Sequence, residues 1–263
     1  MVSKNKIISI VVLTFLFFPL SCATVFRSTG LETEKKEELA LEKKYGRLLA
    51  KKIFSLYPLY HNKQANFYLN QLGQSVALFS GRSHLNYRFA ILEAKSVFAW
   101  ASPGGYVFIS KGALKKMQNE AELAGVLAHQ IAHLNYAHLI KKHPPPQETI
   151  NFIDKVVTFL LTQGSLVSEA FKKVVDESLA YLRQGFGIED EYQADLATLY
   201  YLDEAGYQAK AYLDFLKRVN SEKNTKDLKK RIRRLNNILR QHKFSLKKPL
   251  VKDRFRARMR SVK

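Results

Sequence analysis

The chain has 263 residues, enough for one large domain with appendages, and its 46% hydrophobic and 12% aromatic content excludes global disorder. A net charge of +20 at pH 7 calls for an anionic partner, either a membrane surface or a nucleic acid. The single cysteine, Cys22, excludes an internal disulfide framework and any metal site built on thiolates.

Lys4 and Lys6 precede "IISIVVLTFLFFPL", an apolar run of 14 residues interrupted by Pro19. This is the pattern of an export-signal core, shorter than the about 20 residues that span a bilayer. "SCA" follows, and three readings stand. Cys22 becomes the lipidated first residue of a bacterial lipoprotein, or cleavage falls after Ala23, or the segment stays as an uncleaved anchor. Lipidation is favoured because the only cysteine falls here, although Pro19 stands where a leucine is usual. All three take the protein out of the cytoplasm to the periplasmic side of a bacterial envelope. The anionic partner is then a membrane surface and not nucleic acid.

Residues 24–31 read as a linker and 32–57 as a charged amphipathic helix. A second helix is expected over 64–80, and aromatic, β-branched strands over 87–94 and 106–110. "FAWASPGG" (98–105) between them carries the proline and glycines of a sharp turn. A long helix is expected over 119–142, ended by "HPPP". Two more helices fill 148–183, and "GFG" breaks the chain at 185–187. A helix from Glu189 to Ala205 is capped by Gly206, and another covers 208–220. The stretch 226–263 carries 16 Lys/Arg against Asp227 and Asp253, the make-up of a basic tail for anionic lipid headgroups. The domains expected are an export or lipoprotein signal (1–22), a linker and helix start (23–44), a main domain (45–240) and a basic C-terminal tail (241–263).

The segment 119–142 holds the chemistry. Leu123, Leu127, Ile131 and Leu134 form one apolar stripe at 100° per residue, and His129 and His133 lie on a second face among Gly125 and Ala132. Beyond Glu120 and Glu122 no charged side chain occurs through Leu134, so the helix is a buried one. His-x-x-x-His on a helix is half of the H-E-x-x-H zinc-peptidase signature, but Gln130 stands where that signature has its glutamate. Two hydrogen-bonded core histidines give the same spacing. In "EDEYQAD", Glu191 and Asp195 lie one helical turn apart. Glu191 can then coordinate a metal while Asp195 accepts a hydrogen bond from a ligating imidazole. A solvated acidic helix start gives that pattern too.

Taken together, "FAWASPGGYVFIS", "EAELAGVLAHQIAHLNYAH", "EYQAD" and "AGY", in this order, resemble the HtpX/BepA-type zinc metallopeptidases of bacterial envelopes. These are gluzincins related to the mitochondrial Oma-type and prenyl-protein proteases. The resemblance covers roughly residues 45–240. It implies an α+β, mainly helical gluzincin domain with a small β-sheet beside the active-site helix. It also implies one Zn2+ per chain on His129, His133 and Glu191, oriented by Asp195, with His138 as a further family histidine. An edge strand around Phe98, Trp100, Pro103, Gly104 and Gly105 would bind extended substrate by β-addition.

The departures lie nearest the chemistry. Gln130 replaces the general base, Phe98 and Trp100 replace asparagine and phenylalanine, and Thr225 and Lys226 replace an H-P pair ahead of Arg231. A neutral amide neither takes the proton of the attacking water nor returns it to the leaving amine, a role worth about 10²–10⁴-fold. Glu122, seven residues before His129, is about 10 Å away along the axis and no substitute. The expected protein keeps zinc, is impaired in hydrolysis, and binds unfolded or extended envelope polypeptides. The alternatives are an active zinc endopeptidase with another source of the base, and a scaffold that has lost its metal.

Overall fold

The computed structural model describes residues 19–144, 169–223, 225–242, 244–245 and 247–262. The chain divides into two compact units, 1–41 and 42–263. Helix α1 (Pro19–Leu56) includes the described part of the first unit and continues into the second. Residues 24–31, expected as a linker, are therefore helical. That stretch holds one glycine and no proline, so nothing in it breaks the hydrogen-bond ladder. The export-signal reading falls largely on residues 1–18, outside the described residues, as does most of the expected helix pair at 148–183. No helix of the described residues is long and apolar enough to cross a membrane.

After α1 come α2 (Lys63–Ala77), β1 (Arg88–Leu92), β2 (Ala99–Ser102), β3 (Tyr106–Ser110), α3 (Lys111–Lys116) and α4 (Glu120–Asn135). The chain continues through α5 (His138–Lys142), α6 (Glu169–Gln184), α7 (Ile188–Glu204), α8 (Lys210–Lys223), α9 (Lys226–Gln241) and α10 (Lys252–Arg258). The architecture is the α+β, mainly helical one expected.

The sheet has the order β1–β3–β2, with β1 parallel and β2 antiparallel to β3. The stretch 98–105, read as a turn, is half strand. Phe98-Ala99-Trp100-Ala101 alternates with a period of two, and only Pro103–Gly105 turns, through positive φ at Gly104 (74°) and Gly105 (96°). The Phe98 and Trp100 rings stack at 4.0 Å and Tyr57, just after α1, packs on both, while Phe54 of α1 meets Phe108 edge-on at 5.3 Å. The end of α1 thus covers one face of the sheet. Ala99 and Ala101 occupy the other face, where Ala101 shares a small cavity with His133 and Leu134 of α4.

The two sheet edges are treated differently. Asn70 of α2 both donates to Phe89 O (2.7 Å) and accepts from Phe89 N (3.1 Å), Asn66 accepts from Ile91 N, and Gln74 donates to Tyr87 O. Three amides at helical spacing thereby close the β1 edge. On β2, Ser110 N donates to Phe98 O, so Phe98, Trp100 and Ser102 face β3 in the ladder. The backbone groups of Ala99 and Ala101 point outward, with no partner among the described residues.

α1 is held to the Pro103–Gly105 turn at Gly46 and Glu42. Ser102 Oγ donates to Gly46 O (3.0 Å), Gly104 N donates to Glu42 (3.0 Å), and Arg82 clasps the same carboxylate. A Cβ at Gly46 would sit 1.6 Å from Pro103 O. Gly46→Ala is therefore expected to lower stability by about 1–3 kcal/mol, the usual cost of overpacking, seen as a lower urea midpoint at unchanged slope.

Every residue from Glu120 to Leu134 is buried, as the apolar surroundings of the histidines require. Asn119 caps α4 by accepting from Glu122 N, and Arg218 grips the Glu122 carboxylate with two 2.9 Å bonds. The helix expected over 119–142 breaks after Asn135. Ala137 is left-handed (φ 52°), and α5 starts in a new direction. No glycine or proline marks the break in the sequence.

The basic tail is not detached. Leu228 and Leu235 of α9 are buried, as are Phe255, Met259 and Val262 of the final segment, and Arg254 is hydrogen-bonded to the buried Glu120. Apolar residues at helical spacing, diluted among the cations, anchor both helices.

Candidate active site

α4 supplies His129 and His133, and α7 supplies Glu191 in its first turn. The two helices close on small residues, Ala132 against Ala194 and Ala197. Gly125 allows the same approach to α8, where a Cβ would lie 2.8 Å from that of Tyr212.

The result is a convergence of three atoms. His129 Nε2 lies 3.1 Å from His133 Nε2 and 3.2 Å from Glu191 Oε2, and His133 Nε2 is 3.9 Å from Glu191 Oε1. Zinc bonds of about 2.0–2.2 Å in tetrahedral array separate ligand atoms by roughly 3.3 Å. The donor set fits that ion. His129 Nδ1 faces Asp195 Oδ1 at 3.3 Å, which leaves its Nε2 lone pair pointing inward. His133 Nδ1 is likewise engaged by His138. Burial and the neighbouring His129 push the His133 imidazole well below its usual range, so it is neutral. Burial alone would raise the Glu191 carboxyl, but Arg231, His129 and His133 outweigh it and hold the group far below the ordinary carboxylate range. Neutral imidazole and ionised carboxylate are the forms that bind a metal.

Arg231 has a larger place than the sequence suggested. From α9 it reaches Glu191 Oε2 (2.5 Å), both oxygens of Asp195 (2.7 and 2.9 Å) and Tyr212 OH (2.8 Å). Tyr212 in turn donates to Asp195 at 2.9 Å and stacks on His129. Neither Tyr212 nor Gln193, the partner of His138, carries a sequence signal of its own.

Gln130 is buried and lines a cavity of about 530 Å³. Val97–Trp100 and the 182–188 connection form parts of its wall, with Phe215, Leu216 and Val219 of α8 adding apolar surface. Phe98 and Trp100 border this cavity, but Pro103, Gly104 and Gly105 do not; they form the turn beneath Glu42. The carboxylates on the wall are Glu191 and Asp227, and Asp227 is paired with Lys230 at 3.1 Å.

A buried His-x-x-x-His helix, a glutamate from a following helix and an open sheet edge beside a cleft define a metallopeptidase-type centre. The chain belongs to peptidase family M48, whose pattern matches residues 63–257. Members of that family are zinc metallopeptidases. The chain is 25% identical over 197 residues to the beta-barrel assembly-enhancing protease of Yersinia pestis, covering 73% of this chain and 39% of that protein. With the protein of the same name from Escherichia coli K12 it shares 25% over 167 residues, 62% and 34% of the two chains. With the mitochondrial metalloendopeptidase OMA1 of Schizosaccharomyces pombe it shares 27% over 126 residues, 48% and 36%. The chain thus spans well under half the length of these relatives.

Proposed function

We propose that this chain is an exported, zinc-loaded M48 protein of bacterial envelope quality control. It binds extended or unfolded envelope polypeptides against β2 and hydrolyses them slowly or not at all. The observation that carries this reading is the contrast within one site. His129, His133, Glu191 and the orienting Asp195 are assembled, whereas the residue beside His129 is the uncharged Gln130. Zinc held by this triad supplies Lewis-acid activation of water and of the scissile carbonyl. Gln130 can hydrogen-bond water and substrate but cannot carry the proton between them. Glu122 is occupied by Arg218 and Glu191 by Arg231.

Binding is supported by the sheet. The outward groups of Ala99, half-buried on the cavity wall, offer the start of a ladder to an extended chain, whereas Ala101 is buried and the amides of α2 leave β1 closed to such pairing. Export and lipidation at Cys22 rest on the leader-like N-terminus alone, and an envelope location rests on that N-terminus and on the likeness to the two bacterial beta-barrel assembly-enhancing proteases. The test is binding of a fluorescent unfolded peptide to the purified protein. It should saturate and be lost on placing proline at position 99, which removes an outward N–H. Undiminished binding by Ala99→Pro would contradict β-addition.

A second reading rests on Asp227, the other carboxylate on the cavity wall. If it supplies the base, the protein is an active endopeptidase, and Asp227→Asn abolishes a chelator-sensitive hydrolysis that the natural sequence shows.

One face of α9 supports the anionic-membrane reading. Lys229, Arg233 and Arg240 are exposed and fall within about 40° of one another around α9. At about 1 kcal/mol per cation near an anionic bilayer, changing all three to glutamine should weaken partition to phosphatidylglycerol vesicles roughly 100-fold at low salt. Equal sedimentation of the triple variant would remove this surface from consideration.

A further inference from the structure

The break after α4 places one buried histidine where no continuous helix could. In an unbroken helix His138 would stand 140° around the axis from His133. The left-handed Ala137 turns the chain back, and His138 Nδ1 comes to 2.9 Å from His133 Nδ1. A non-glycine residue in that region of backbone space costs about 1–2 kcal/mol, and such conformations gather at functional sites. Beyond His138, its Nε2 lies 3.2 Å from Gln193 Oε1 and 3.8 Å from Asp190 Oδ1. Phe186 stacks on the His133 ring at 4.0 Å, and Tyr136 flanks His138 at 5.4 Å.

We infer that His138, held by Gln193, is a positioning residue that fixes the tautomer and ring orientation of His133 for metal binding. This rests on the reading of His129, His133 and Glu191 as metal ligands. The directions of the hydrogen bonds follow from one requirement. If the His133 Nε2 lone pair faces the ion, the proton of the neutral ring is on Nδ1 and is donated to His138 Nδ1. His138 must then carry its own proton on Nε2, which faces the Gln193 amide oxygen, an atom that can only accept. Each atom in the line has the polarity the previous one demands. Asp195 does the same for His129 directly, so the two histidines are set by different devices. One is a carboxylate, and the other is a neutral chain of two side chains, His138 and Gln193. The neutral chain adds no charge beside a cluster that already holds Glu191, Asp195 and Arg231.

The test uses the full-length protein with Zn2+ in competition with a chromophoric chelator, and Co2+ as a spectroscopic probe. His138→Phe keeps a flat ring but removes the acceptor. It is expected to lower Zn2+ affinity about 10–100-fold and to alter the visible Co2+ bands. His138→Gln restores an acceptor and should recover most of the affinity. Gln193 is exposed, so Gln193→Leu leaves folding intact and should lower affinity by a smaller factor. Parent-like Zn2+ affinity and Co2+ spectra in folded His138→Phe, or in Gln193→Leu, would overturn the relay alone. A natural-sequence protein that holds no metal would overturn the metal reading and the relay with it.

Discussion

Gln130→Glu is expected to create zinc-dependent cleavage of an unfolded protein such as casein, at a rate at least 10²-fold above that of the natural sequence. The estimate follows from the about 10²–10⁴-fold worth of a positioned general base. The change is nearly isosteric at a buried position on the cavity wall, so packing should be little altered. Glutamate there takes a proton from the attacking water and returns it to the departing amine. Recovery should be partial, because the family resemblance implies that Phe98 and Trp100 stand in place of asparagine and phenylalanine, and Thr225 and Lys226 in place of an H-P pair. Chelator must abolish the new activity, and so must His129→Ala. A zinc-loaded Gln130→Glu protein as inactive as the parent would mean that Gln130 is not the sole lesion.

Arg231→Met is expected to be the most destabilising single change near the site. The guanidinium is paired with Glu191 and Asp195, whose side chains are 14% and 2% exposed. Removing one partner of a buried ion pair costs about 3–5 kcal/mol, because the remaining charges are left uncompensated. For a chain of this size that is roughly 6–20 °C in Tm. The loss should be largest in chelator and smaller in excess zinc, since a divalent cation on Glu191 compensates part of the exposed charge. Equal Tm losses with and without zinc would show that Arg231 acts on packing and not on the charge of the site.

Much of this site was legible from the chain alone, and the reasons are local. His129 and His133 share a helix face by spacing, and the absence of charge around them announces burial. Glu191 and Asp195 stand one turn apart on a helix whose start was visible, and the family resemblance joined the two segments. What was not legible is long-range or irregular. The strand Ala99–Ser102 is implied by the family resemblance but not by the local pattern, where the Pro-Gly-Gly that follows masks its period-two alternation. Ala137 turns left-handed without a glycine to signal it, so the helix was read seven residues too long and His138 could not be placed. The cations of α9 and α10 read as a basic tail because charge masks the few apolar anchors at Leu228, Leu235 and Phe255. Arg231 was one of sixteen basic residues there. Its ion pairs depend on where α9 docks, which no local pattern encodes.

Zinc content and casein hydrolysis, measured together on the purified natural-sequence protein, test the central claim most directly. An assembled ligand triad with glutamine at the base position predicts about one zinc per chain, lost in His133→Ala, and casein hydrolysis that is nil or at least about 10²-fold slower than that of Gln130→Glu. Hydrolysis by the natural sequence that is as fast as that of Gln130→Glu, and that chelator and His129→Ala abolish, would contradict it.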